Sequence, residues 1–160
     1  MSIIMIVNEW KEHAQMMGEE LAPAVEFPHQ LFNYNFGREI GKAPEIFWQN
    51  YKAFVEQMDG FNIDGYCIYG ISSYFDYHND LFYFNNIIND IDKNAPSIMF
   101  EESKYCIQFG SSPLDYYTYD IRTHKWESRD MQNHNNLFIS CDTLAEFLQA
   151  VLNDIRQTEI

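Results

Sequence analysis

The stretch LDYYTYDIRTHKWESRD, residues 114–130, crowds Tyr116, Tyr117, Tyr119 and Trp126 around one short polar loop. Two chemistries suit such a cluster. Rings open to solvent make a platform on which a sugar or a nucleic-acid base stacks, and such a platform wants cations beside it. Only Arg122, Lys125 and Arg129 are near. Rings that close on one another instead make the core side of a hairpin. Strand alternation puts Tyr117, Tyr119 and Ile121 on one face and Tyr116, Thr118 and Asp120 on the other. Tyr105, Ile107 and Phe109 offer a matching apolar face upstream. RTHK then reverses the chain, Asp120 is placed to accept the turn's amides, and Trp126 returns opposite the tyrosines. This pairing favours the structural hairpin over the platform.

Other groupings bear on metal and acid–base chemistry. DIDKNAPSIMFE sets Asp90, Asp92, Asn94 and Glu101 at the first, third, fifth and twelfth positions of a calcium loop. Ala95 occupies the sixth position, where the sharp turn needs glycine, and Pro96 follows, so the stretch reads as a solvated helix exit. YFDYHND gathers Asp76, His78 and Asp80, which could coordinate a cation or serve a small enzyme or ligand carrier. The same residues suit a polar connection that caps the next helix. The histidines form no H-E-x-x-H pair, the serines no G-x-S-x-G elbow, and the glycines no phosphate cradle. Glu19–Glu20 and Glu101–Glu102 are accounted for as solvated faces. The expectation is therefore a protein without catalytic residue, cofactor or metal.

Charge narrows the partner. The chain carries 24 acids against 10 Lys and Arg, a formal net charge of −14. Residues 1–80 hold 12 of the acids, so the negative charge is spread along the chain and is not a tail. A phosphate backbone or an anionic membrane would be repelled, whereas a basic protein would be steered in. Acidity also serves solubility alone. Cys67, Cys106 and Cys141 are widely spaced beside β-prone residues, as expected of buried thiols in a reducing compartment. MSIIMIV is too short for a signal peptide's apolar region and no run has the roughly 18 apolar residues of a membrane span, so a cytoplasmic location is expected.

The length of 160 residues suits one domain with its own core, and 46% of the chain is hydrophobic. Ile3, Ile6, Val7, Trp10, Ala14, Met17 and Leu21 recur at helical spacing, predicting an amphipathic helix over residues 1–21. Residues 22–44, rich in proline and glycine, read as irregular with short helical pieces. A second helix follows, with Pro44 at its first turn, Gly60 at its exit, and a seam of Ile46, Phe47, Tyr51, Phe54, Val55 and Met58. FNIDG turns into the buried strand YCIYGI. Leu81, Phe84, Ile87, Ile88 and Ile91 predict a third helix ending before Pro96. Strands are expected at SIMFE, KYCIQFG, LDYYTYDI, HKWESRD and NLFIS. Thr143 and Glu146 form a capping-box pattern that starts a last helix with the stripe Leu144, Phe147, Leu148, Val151, Leu152 and Ile155. Helices, then mostly strands, then a helix predict an α+β domain with a mixed, mainly antiparallel sheet flanked by helices.

KAPEIFWQNYKAFVEQMDGFNIDGYCIYGI, residues 42–71, resembles the diagnostic region of the SUKH superfamily of cell-wall-regulator-like and bacterial immunity proteins, most nearly its YrhA-like branch. The matching positions are Pro44, Tyr51, Phe54, Asp59–Gly60, Asp64–Gly65 and Tyr69–Gly70. YCIQFG, YYTYDI and KWE resemble that family's middle strands, and TLAEFLQAVL its closing helix. Ala43 stands where the family has leucine, and Asp59 where it has asparagine. The resemblance implies a single SUKH-like domain over residues 1–160. It also implies immunity: binding and blocking a cognate polymorphic toxin, often a nuclease, without a catalytic residue. A regulatory module that recruits an endogenous protein is the alternative. Acids on or beside the strand connections, Asp76, Asp80, Asp115, Glu127 and Asp130, are the candidate partner-binding residues.

Overall fold

A computed structural model describes residues 2–72 and 80–158. Among the described residues, four α-helices and six strands follow one another: α1 (Ile3–Met17), α2 (Glu45–Val55), β1 (Phe61–Ile63), β2 (Tyr66–Ile68), α3 (Leu81–Asn94), β3 (Cys106–Ser111), β4 (Asp115–Asp120), β5 (Lys125–Asp130), β6 (Leu137–Cys141) and α4 (Leu144–Thr158). The strands form one sheet in sequence order, each pairing antiparallel with the next. The only parallel feature among the described residues is an isolated bridge between Gly70 and Asp80. The domain is thus α+β, with helices on both sides of an antiparallel meander.

Alternation divides the sheet's side chains into two sets. Ile107, Phe109, Tyr117, Tyr119 and Trp126 face α2 and α4: Phe47 lies 5.1 Å from Tyr119 and 5.4 Å from Trp126 between ring centroids, and Phe147 lies 4.9 Å from Tyr117. All of these rings are buried. The hairpin expectation therefore holds. Tyr119 sits opposite Trp126 in register, and Asp120 Oδ1 accepts the Arg122 amide at 2.9 Å. Three of the four aromatics that opened the sequence question are core, and Tyr116 alone points to the other face.

Four expectations need correction. The first helix stops at Met17 and does not reach residue 21, because Gly18 takes φ 70° and the Gly18 and Glu19 amides close back on Gln15 and Ala14. In α2 the exposed residue is Ile46, and Trp48 takes its place in the seam. FNIDG is not only a turn: Phe61–Ile63 is a strand, and Asp64 and Gly65, both with positive φ, make the two-residue hairpin loop. SIMFE is not a strand. Pro96–Ile98 and Glu101–Lys104 are 3-10 turns whose amides bond within the segment, and β3 already has β2 and β4 on its two edges. The stripe of α4 is buried throughout, and the Thr143 hydroxyl accepts the Glu146 amide at 3.2 Å.

Candidate functional site

The α2–α4 side of the sheet is packed apart from a pocket of about 140 Å³ beside Asp115 and Asp154, and the α3 side is more open. A cleft of about 330 Å³ lies between α3 and the sheet. Its roof is the apolar stripe of α3, Phe84, Ile87, Ile88 and Ile91, and its side is the 3-10 segment bearing Ile98, Met99 and Phe100. Cys106, Gln108, Tyr116 and Thr118 form the floor, with His134 at one end. Of α3, only Leu81 and Asn85 are buried. The predicted stripe is therefore real, yet most of it meets a void where core was expected.

Asn85 holds α3 against the sheet. Its side-chain amide donates to Gln108 O at 2.9 Å and accepts from Gln108 N at 3.2 Å, supplying β3 with the pairing that β2 is too short to give. Arg38, at φ 52°, locks the same corner by donating to Ser103 O, Cys106 O and Asn85 Oδ1 at 3.2, 3.1 and 2.8 Å. Burial lowers its pKa to about 10.

The floor's polar groups are already engaged. Gln108 Nε2 donates to Tyr69 Oη at 2.9 Å, Ser103 Oγ to Phe100 O at 2.7 Å, and Arg129 Nε to Thr118 Oγ1 at 3.2 Å. Burial pushes the Cys106 thiol up to about 12, so it stays protonated near neutral pH. Beside the floor runs a charge cluster. Arg129 pairs with Glu127 at 3.0 Å and lies 3.9 Å from Asp120, which Arg122 also grips at 2.9 Å. Burial raises the Glu127 pKa, and Arg129 opposes the shift.

The sequence-predicted acids do not share one exposed face. Asp76, with His78, lies outside the described residues. Asp80 caps α3, its Oδ1 accepting the Phe82 and Tyr83 amides at 2.7 and 3.2 Å. Asp115 and Asp130 are opposite one another across β4 and β5, on the core side of the sheet. Burial raises the Asp115 pKa, the neighbouring Ser128 and Ser112 hydroxyls oppose the rise, and Asp130 adds to it. Glu127 is on the other face and buried. Asp90 and Asp92 belong to α3 itself, so the tested calcium loop is helix. Charge and position near turns mark all five acids alike, whichever face they take. The cleft was missed because a half-covered helix stripe and a filled one have the same spacing.

α2 ends at Val55, capped by Glu56, and Asp59 lies beyond it. It is buried, and its carboxylate accepts the Ile71 amide at 2.7 Å, the Ser72 amide at 3.2 Å and the Ser72 hydroxyl. Gly60 and Gly70 allow this crossing: a Cβ on Gly70 would fall 2.4 Å from Asp59 O, and one on Gly60 2.6 Å from Ile68 O.

A scan against protein-family models gives no match to this chain, and no curated protein matches it. Among the described residues, no three or more His, Cys, Asp and Glu side chains group so as to hold a metal ion, and no helix is long and apolar enough to cross a membrane.

Proposed function

We propose that the chain is a non-enzymatic immunity protein of the SUKH type that binds and neutralises a cognate bacterial toxin domain with a basic surface, a nuclease being the fitting class. The observation that carries this reading is the inward placement of Tyr117, Tyr119 and Trp126 within a molecule of net charge −14. The rings that could have stacked a sugar or base are used for packing, and the exterior is left to charge. A cationic polypeptide gains speed and selectivity from such a surface, and inhibition by occlusion needs no reactive group. The Pro44–Gly70 motif resemblance supports the family and supplies the idea of a toxin as partner.

Co-expression with each toxin-like neighbouring gene product tests the reading. Rescue of growth, with a complex that co-purifies and weakens with salt, is the expected result. Unchanged toxicity with every such neighbour would remove it. Pull-down from cells without any toxin gene separates the regulatory alternative, which requires a stable endogenous partner.

A further inference from the structure

The cleft under α3 has no part in the immunity reading, and its chemistry points elsewhere. A volume of about 330 Å³ is far beyond a packing defect and falls within the roughly 300–1,000 Å³ span of small-molecule pockets. Its walls are apolar and ring-bearing. Phe100 and His134 meet with centroids 4.2 Å apart and planes tilted by 41°, and Tyr116 lies 6.1 Å from His134. An apolar stripe left half-covered gives up burial free energy that an occupant would recover.

The polar groups define what the cleft rejects. The hydrogen bonds of Gln108, Thr118 and Ser103 are internal, so the floor does not call for a polar ligand. Arg129 is held by Glu127, Thr118 and the His134 carbonyl, and no Lys or Arg lines the cleft to face a bound anion, His134 being its one basic lining group. Along the roof and side, Asp90, Asp92, Glu101 and Glu102 outnumber Lys93 and Lys104. An anionic amphiphile such as a fatty acid is therefore disfavoured. No carboxylate lines the cavity to receive a cation either. We propose that the cleft between α3 and β3–β4 is a binding site for an uncharged, ring-containing small molecule.

Two probes with one ring system test this. N-phenylnaphthylamine is neutral, and anilinonaphthalene sulfonate is the same skeleton with an anionic group. The neutral probe should bind saturably at one per chain, and the sulfonate at least about tenfold more weakly. Ile88→Trp, which fills the cavity, should abolish binding with the far-ultraviolet spectrum and urea midpoint retained. Ile98 is 72% exposed at the rim, so Ile98→Glu leaves the fold intact and should weaken the neutral probe at least about tenfold. Equal binding of both probes, no saturable binding, or binding indifferent to Ile98→Glu would each overturn the proposal. So would a dimer, seen by sedimentation, that Ile98→Glu dissociates, since a second copy would then cover the cleft. Failure of the neutral probe while a purified basic partner protects the amides of residues 96–104 from exchange would assign the cleft to that partner. None of these readouts uses toxicity, so they stand or fall apart from the immunity reading.

Discussion

Phe47 of α2 lies over Trp126 of β5 with ring centroids 5.4 Å apart and planes 16° from parallel. Tyr119 and Phe109 close on the same indole at 4.7 and 5.0 Å. Trp126 is thus enclosed on all the sides that a stacking ligand would need. Trp126→Ala should destabilise the fold by about 3–5 kcal/mol in urea denaturation. A change below about 1 kcal/mol, the range of ordinary surface substitutions, would contradict its placement.

Arg129 sits between two buried carboxylates. Arg129→Met removes the cation and leaves Glu127 and Asp120 facing one another with only Arg122 to answer them, at a cost of about 3–5 kcal/mol. The double change Arg129→Met with Glu127→Leu should restore much of that loss. Equilibrium unfolding of both variants checks the pair, and a double variant no better than the single would show that the loss is not electrostatic.

Asp115 ties stability to pH. Its folded pKa lies above the unfolded value, chiefly through burial, so between about pH 4, the ordinary carboxylate value, and that folded value the native state binds the extra proton. Stability from this group is therefore present at low pH and declines as pH rises through that window. Asp115→Asn should gain on the parent protein between pH 4 and pH 7, read as the difference in urea midpoints. A difference that runs the other way would mean the carboxylate is favoured by its serine partners.

Two glycines separate space from backbone. Gly18 has φ 70° with nothing within 4 Å of a Cβ, so Gly18→Ala should cost about 1 kcal/mol from the left-handed conformation alone. Gly60, at φ 79°, adds a 2.6 Å approach to the Gly70 nitrogen and Ile68 oxygen. Gly60→Ala should therefore cost clearly more than its counterpart at Gly18. Thermal unfolding of the two variants side by side gives the comparison.

Asp80→Ala deletes the cap of α3 and should cost about 0.5–2 kcal/mol. Hydrogen exchange should quicken first at Phe82 and Tyr83, whose amides lose their acceptor.

The fold was legible where spacing and burial agree. In α4 every residue of the predicted stripe is buried, and in the β4–β5 hairpin the strand alternation and the Asp120 turn appear as read. It was illegible where geometry depends on distant partners. Met17 and Leu21 continue the α1 period, yet one left-handed glycine ends the helix before the latter. SIMFE has strand-forming residues, but β3, the strand that follows it, already has a neighbour on each edge. Glu127 and Asp115 look alike in sequence, both acids on neighbouring strands, and they face opposite sides of the sheet. The cleft depends on how far α3 stands from β3, which Asn85 and Arg38 set through contacts 23 and 68 residues away in the chain. No local pattern encodes that distance.

The order of the strands carries a kinetic implication. Because each one bonds to its neighbour in sequence, pairing can spread from the tight β4–β5 turn to β3 and β6 through short loops, whereas joining β2 must close the long connection that carries α3. Trp10 Nε1 donates to Leu148 O at 3.1 Å, a clasp across 138 residues that ties α1 to α4 only when both are seated on the core.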